Sequence, residues 1–473
     1  MSIHQYIVNK LIEGLGFAPT ECQKKLFSEL SDFISPGYSD GDIMVINGYA
    51  GTGKTSAVNS LVRFLSESAT NHILLAPTGR AAKVLSGYCN RKAYTVHKQI
   101  YRQKSMRDGV GQFALDINKN KETIFIVDEA SLISAGYGDS GIFGSGSLLD
   151  DLIEYVRSNI GNKLILIGDT AQLPPVGEEL SKALDTGFLE SYGTVKYSHL
   201  KSVVRQEQSS GILYNATVIR EIIEQGRGDV PSFDVDLFPD TDSITGSDLI
   251  ETILSSYDKY GSDQTVVLCR SNKRANRYNQ GIRSSILFRD ERLGRGDKLM
   301  VVKNCYQFLD DIDELDFIAN GDVAELVNIS GYEQRYGLDF AQATLRFPDY
   351  NDVEIDAKII LDTLVSETAS LNQEQQKRLF MEIMEDYSHI KLKRKRIAAV
   401  REDKYFNALQ IKYANAITCH KSQGGQWKTV FIDNPFWKGE ISKDDLKWLY
   451  TAITRAVDKV YFVNFDDRFF AKQ

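Results

Sequence analysis

Apolar residues recur along the first 200 positions in short, nearly unbroken runs. Between them lie stretches in which apolar and polar positions alternate at helical spacing. Residues 42–47 (DIMVIN), 72–76 (HILLA), 123–127 (TIFIV) and 163–168 (KLILIG) have the length and β-branched content of buried strands. A helix is predicted from about Lys54, with others near 79–86 and 146–159. Strands alternating with helices form a parallel sheet covered on both faces, and such sheets bind ligands beyond the carboxyl ends of their strands. The alternation resumes with strands at 265–270, 412–418, 428–433 and 459–464 and helices at 272–285 and around 443–456. Between them, 298–410 breaks the rhythm. It offers turn-punctuated β-like sequence (KLMVV, NGDVAELVNI, QATLRF), a long helical stretch at 372–387 and a basic run. This segment reads as an insertion into a second parallel-sheet domain.

Composition narrows the class without identifying it. The chain has 473 residues, 42% hydrophobic and 25% charged, which argues against a disordered or fibrous protein. Its length suggests about three domains at roughly 150 residues each. No run of about 18 apolar residues marks a membrane span, and the first residues lack a secretory signal pattern. Cys22, Cys89, Cys269, Cys305 and Cys419 lie far apart and form no Cys-x-x-Cys, as expected of reduced thiols in a cytoplasmic compartment. Zinc-ligand spacing is absent. The net charge of −8 argues only weakly against a nucleic-acid partner, because phosphate contacts need local positive charge.

The chemistry concentrates at strand ends. Gly48-Tyr49-Ala50-Gly51-Thr52-Gly53-Lys54-Thr55 fits G-x-x-x-x-G-K-[ST] and falls between a predicted strand and a predicted helix. In such a loop the backbone N–H groups turn around phosphate oxygens and the helix N-terminus adds positive potential. Gly48, Gly51, Thr52, Gly53, Lys54, Thr55 and Ser56 are therefore the candidate nucleotide contacts. Lys54 would reach the β- and γ-phosphates and Thr55 would ligate Mg²⁺. A second strand ends in Asp128-Glu129. Asp128 offers the carboxylate oxygen a hard cation prefers, and Glu129 is the candidate general base. A third strand ends in Gly168-Asp169-Thr170-Ala171-Gln172, where Gln172 suits sensing of a γ-phosphate or water.

Taken together and in order, these motifs resemble the superfamily 1B helicases, the branch of phage Dda and RecD-like enzymes, over nearly the whole chain. Pro19–Gln23 resembles the Q motif, Ala76–Ala82 motif Ia and Thr95–Lys98 motif Ib. Val203–Gln206 is similar to motif IV, Thr418–Gly424 to motif V and Leu449–Ala456 to motif VI. Family members usually carry Ser-Glu after the motif V glycine, where this chain has Gly425-Gln426. The resemblance implies an α/β fold of two RecA-like P-loop domains, parallel sheets with helices on both faces, and a β-rich, SH3-like and helical insertion in the second. The implied boundaries are 1–204 for the first domain (with about 98–120 as a pin-type hairpin), 205–297 plus 411–473 for the second, and 298–410 for the insertion. It also implies that Gln23 bonds the adenine edge, that Arg205 and Arg455 reach the γ-phosphate, Arg455 as an arginine finger, and that Gly424 lies at the nucleotide. Single-stranded DNA would cross Pro77, Thr78, Thr95 and His97 in the first domain and Asn272, Lys273, Thr418 and His420 in the second.

The expected activity is an ATP- and Mg²⁺-dependent DNA helicase. It would move 5′→3′ on single strands and open fork or tailed duplexes, as a monomer with replication or recombination proteins as partners and no membrane. The alternative is a strand-stimulated ATPase that remodels protein–DNA complexes without unwinding. A small-molecule P-loop kinase gives no reason for motifs V and VI. Two weaker features remain open. Residues 101–118 form either the family's separating pin or an inert hairpin. The run 391–396 (KLKRKR) either meets DNA phosphates or is a solvated end, and it also has the form of a nuclear address.

Overall fold

A computed structural model of the chain describes residues 2–35, 37, 41–103, 113–136, 144–204, 209–226, 229–305, 308, 318–436 and 440–471. The first lobe contains α1 (Ile3–Leu15), α2 (Glu21–Ile34), β1 (Ile43–Gly48), α3 (Lys54–Glu67), β2 (His72–Ala76), α4 (Gly79–Cys89), β3 (Ala93–Thr95), α5 (Val96–Ile100), β4 (Tyr101–Gln103), β5 (Phe113–Leu115), β6 (Ile124–Val127), α6 (Leu148–Arg157), β7 (Lys163–Gly168), α7 (Thr186–Leu189) and β8 (Val195–Leu200). Its six-stranded sheet has the order β3-β2-β6-β7-β1-β8, and every pairing is parallel. Strand β1 is buried along its whole length, as its DIMVIN sequence predicts. One face of the sheet packs on α1, α2 and α3 through Leu11, Phe27, Leu61 and Met44. The other packs on α6 through Val45, Phe125, Leu149 and Leu152.

The second lobe opens with α8 (Gly211–Gln225), β9 (Thr241–Ile244), α9 (Leu249–Tyr260), β10 (Thr265–Cys269) and α10 (Asn272–Ser285). The chain then leaves for an inserted barrel of β11 (Lys298–Val301), β12 (Val323–Arg335), β13 (Leu338–Phe347) and β14 (Val353–Ile360). Helices α11 (Gln373–Asp386) and α12 (Lys393–Glu402) follow, and the barrel closes with β15 (Leu409–Tyr413). It returns through β16 (Ala416–Thr418), β17 (Trp427–Asp433), α13 (Lys443–Ile453) and β18 (Ala456–Val463) to complete a parallel sheet of order β16-β10-β17-β18-β9.

The expected class therefore holds: two parallel sheets and a β-rich insertion. Three details differ. The stretch 412–418, expected as one strand, is two, because residues up to Tyr413 pair with β11 in the barrel while Ala416–Thr418 pairs with β10. A boundary at 410/411 therefore cuts through β15. Strands β8 and β9 were not expected. Their sequences (VKYSHL, TDSI) are too polar to read as buried strands, and both lie at sheet edges, where one side needs no apolar cover. The basic run at 391–396 enters α12, and its Arg396 folds back onto the carbonyls of Ser388 and Ile390, closing the turn between α11 and α12.

Candidate nucleotide site and strand groove

The glycine loop leaves β1 at the centre of the first sheet and enters α3. Gly51 (φ 71°) and Gly53 (φ 77°) occupy the left-handed region that glycine adopts without strain. Gly48 must lack a side chain for a different reason: a Cβ there would stand 2.7 Å from Cγ of Lys54. The Lys54 ammonium consequently folds across the loop, donating to the carbonyls of Gly48 and of Tyr49 (3.0 Å), with Asp169 Oδ2 3.7 Å away. Thr55 and Ser56 follow on the first turn of α3, half-buried.

Gln23 departs from its expected role. Its side-chain oxygen accepts the Thr20 N–H (2.9 Å) in a capping box of α2, and its nitrogen donates to the Thr52 carbonyl (3.2 Å). It has no exposed surface, so in this conformation its amide braces the phosphate loop from behind and presents no edge to a base.

Two acids stand beyond β6. Burial, followed by the charge of Glu129, pushes the Asp128 carboxyl up to about 6, against the pull of Lys54. Glu129 holds a left-handed backbone (φ 53°), costly for a non-glycine residue, and its N–H donates to Asp128 Oδ1 at 2.9 Å. A carboxylate and a threonine hydroxyl are oxygen donors of the kind a hard divalent cation takes, so the chemistry of Asp128 and Thr55 fits Mg²⁺. Beyond β7, Gln172 is buried and its Oε1 meets no donor among the described residues. Such an orphaned acceptor is costly in a finished core but serviceable where a ligand or water arrives.

The second lobe meets this site through α13. The Tyr450 hydroxyl accepts from the Ala50 N–H (2.8 Å) and donates to Asp169 Oδ2 (2.7 Å). Thr451 Oγ1 accepts the Leu173 N–H (2.8 Å), and Gln423 Nε2 donates to the Leu173 carbonyl (2.5 Å). Asp169, Tyr450 and Thr451 were missed as site residues. The signal was present, since Asp169 ends an apolar strand as Asp128 does and Tyr450 lies inside YTAITRA.

In this conformation Arg455 and Gly424, both expected at the nucleotide, contact other groups. Arg455 is buried and donates to the carbonyls of Thr451 (Nε, 3.2 Å) and Gly425 (Nη1, 3.2 Å), both in its own lobe, and to no group of the glycine loop. Gly424 (φ 75°) packs on the first lobe, where an added Cβ would be 3.1 Å from Thr78 Oγ1. Arg205 lies outside the described residues, although the N–H of its neighbour Val204 donates to Gly51 O at 2.9 Å.

The four strand candidates of the first lobe come together. Pro77, Thr78, Thr95 and His97 line a cavity of about 590 Å³ whose opposite wall is the barrel, through Asn320 and Tyr350. Thr78 and Thr95 also cap α4 and α5, accepting from Ala81 N and Lys98 N. Burial pushes His97 down to about 4, so it is neutral at physiological pH and offers a ring and a hydrogen bond rather than charge. The barrel is anchored here: Lys83 donates to the Pro348 carbonyl (2.6 Å), and Lys421 bonds Asn320 Oδ1.

The second-lobe candidates do not line this cavity. Asn272 starts α10, and Thr418 ends β16. His420 is exposed, with desolvation and the charges of Arg270 and Lys421 lowering its pKa. Lys273 is paired with Glu367 at 2.9 Å on the surface, so its charge is partly answered within the chain. Strands β4 and β5 pair antiparallel, giving the base of the expected hairpin, whose tip at 104–112 lies outside the described residues.

A glycine loop, paired acids and a second lobe clasped to the glycine loop and to the Asp169–Leu173 segment define a two-lobed P-loop protein. Residues 37–225 match the AAA domain family, and residues 413–463 match the UvrD-like helicase C-terminal domain family. The chain is 30% identical over 159 residues to an ATP-dependent RecD2 DNA helicase of Deinococcus radiodurans, covering 33% of this chain and 19% of that one. It is 27% identical over 189 residues to an uncharacterized protein of Acanthamoeba polyphaga mimivirus, covering 35% of each. The chain spans between 11% and 35% of the length of three curated relatives it matches. A crystal structure of a Pif1 helicase from Bacteroides with ADP-AlF3 and ssDNA aligns over 97% of this chain and 95% of that one, at 15% identity and a TM-score of 0.47. One family model is thus matched on each lobe, an AAA domain on the first and a UvrD-like helicase C-terminal domain on the second.

Proposed function

We propose that this protein is an ATP-driven DNA helicase that moves 5′→3′ along single-stranded DNA and opens forked or tailed duplex. The observation that carries the reading is the clasp of Tyr450 and Thr451 on the phosphate loop and the Gln172 loop. It makes the triphosphate cradle a seam between two lobes, so occupancy of the cradle and relative position of the lobes are linked. The roles follow from the donors present. Loop N–H groups and Lys54 hold the β- and γ-phosphates. Thr55 and Asp128 hold Mg²⁺, which when bound neutralises phosphate charge. Glu129 takes the proton of the water that attacks the γ-phosphorus as the bond to the β-phosphate oxygen breaks, and Gln172 orients that water. Arg455 and Arg205 complete the site on closure. The strand lies in the cavity between the first lobe and the barrel, held by Thr78, Thr95 and their neighbours. Residues 98–120 would supply the separating pin, with β4 and β5 paired at its base.

The test is a duplex with a 5′ single-stranded tail, one with a 3′ tail and one with blunt ends, each with Mg²⁺ and ATP. Separation of the 5′-tailed duplex alone is expected. In Lys54→Ala, strand-stimulated ATP hydrolysis and unwinding vanish while oligonucleotide binding persists. Strand-stimulated hydrolysis with no unwinding of any substrate would favour a translocase that remodels protein–DNA complexes. Normal turnover in Lys54→Ala would refute the site.

A further inference from the structure

Arg80 is the second residue of α4, in the first lobe, and its guanidinium lies 3.9 Å from the ring centre of Trp427, at the start of β17 in the second. Its Nη2 donates to the Gln426 carbonyl at 3.2 Å. The preceding carbonyl, that of Gly425, is the one Arg455 Nη1 holds at 3.2 Å. Two arginines, one from each lobe, thus grip adjacent carbonyls of a single turn. Trp427 fixes the geometry from below, since its backbone N–H donates to the Arg455 carbonyl at 2.9 Å.

This arrangement explains the departure at 425 and 426. A Cβ on Gly425 would stand 2.9 Å from Arg80 Nε and 2.7 Å from the Trp427 ring, so a serine there is incompatible with the stack. Gln426 gives its carbonyl to Arg80 and lies with its side-chain oxygen 3.5 Å from the Tyr88 hydroxyl. Arg80 meets no carboxylate at ion-pair distance among the described residues. Burial and the charge of Arg455 weaken its hold on its proton, with Asp349 and Asp263 opposing. A guanidinium held by an indole face and one carbonyl, facing a like charge, is a contact that can be made and broken.

We propose that Arg80 is a positioning residue that couples the strand groove to Arg455 through the turn Gly424–Trp427. Thr78 lines the groove and caps α4, Arg80 is two residues further along that helix, and the turn it grips holds Arg455 on the Gly425 carbonyl. Strand occupancy that shifts the start of α4 shifts the turn, releasing Arg455 toward the phosphates. The inference rests on the proposed function for its consequence in turnover, but the clamp itself is testable without it.

The experiment uses the full chain and the variants Arg80→Ala, Arg80→Lys and Trp427→Phe. ATP turnover is measured with and without oligothymidylate, and oligothymidylate affinity by anisotropy. In Arg80→Ala the ratio of strand-stimulated to strand-free turnover is expected to fall about tenfold, the scale of a typical coupling between sites, with affinity kept within about twofold. Arg80→Lys, which keeps the cation, recovers part of the ratio. An unchanged ratio, or a loss equal with and without strand, overturns the proposal. Acrylamide quenching of Trp427, isolated as the difference from Trp427→Phe, reads the clamp directly. It is expected to rise in Arg80→Ala, and an unchanged value overturns the clamp. If the wild-type chain shows no strand-stimulated turnover, the helicase reading fails while the quenching comparison still decides the contact.

Discussion

The Tyr450 hydroxyl lies 2.7 Å from Asp169 Oδ2, joining residues 281 positions apart in the chain. The same oxygen accepts the Ala50 N–H at 2.8 Å, so one buried hydroxyl links the second lobe to both the glycine loop and the strand end beside it. Replacing Tyr450 by Phe leaves a buried donor and a buried carboxylate oxygen short of a partner, which costs about 1–3 kcal/mol. The freed carboxylate is then available to the Lys54 ammonium 3.7 Å away, drawing it from phosphate. Tyr450→Phe is therefore expected to lower both the urea midpoint and ATP turnover. Stability and turnover both at the wild-type level would show that the seam does not depend on this hydroxyl.

The barrel rests on α4 where Gly79 faces Tyr350. A Cβ on Gly79 would come 2.2 Å from the Tyr350 hydroxyl, and that ring is held by bonds to both Asp322 oxygens at 3.0 and 3.1 Å. Gly79→Ala forces the barrel away from the first lobe at an overpacking cost of about 1–3 kcal/mol. Because the groove has one wall on each body, weaker oligonucleotide binding is expected alongside the lower stability. Gly79→Ala paired with Tyr350→Ala, which removes both the colliding oxygen and the ring carbon 2.5 Å from the new Cβ, is expected to relieve the overpacking and regain part of the binding. Binding by Gly79→Ala equal to wild type would mean that the strand does not use this groove.

Asp322 makes stability depend on pH. Burial raises its carboxyl from 3.8 to about 7, with the Ala319 N–H and the Tyr350 hydroxyl opposing and Asp349 adding. Below about pH 4 both folded and unfolded chains carry the proton. As pH rises from about 4 to 7, the unfolded chain releases it while the folded one retains it, so this group's contribution to stability falls across that window and levels off above it. Asp322→Asn cannot ionise. Its stability relative to wild type is therefore expected to increase from pH 4 to about pH 7, measured as urea midpoints in matched buffers. Parallel curves for the two proteins would refute the assignment.

Much of the nucleotide site was legible because its parts are local. The glycine loop needs consecutive residues in a fixed order between a strand and a helix, and the acids at 128 and 129 follow an unbroken apolar run. The bonds of Gln23 to Thr20 and Thr52 were not legible, because a capping role and a ligand role look the same in one dimension. The pairing of Lys273 with Glu367, 94 positions away in the chain, was not legible either. The polar edge strands β8 and β9 escaped notice because an edge needs less hydrophobic cover than a centre.

The sequence by itself determined the two parallel sheets, the order of the motifs and the residue types of the cradle, since periodicity and short spacing are set by backbone geometry. Only the tertiary structure decided that β11 closes on β15 and that the cavity beside Thr78 and Thr95 has the barrel as its second wall. It also put Tyr450 on Asp169 and rested Arg455 on Gly425 beside Arg80. Those pairings join segments tens to hundreds of residues apart, and they arise from the packing of whole lobes, which no local pattern encodes.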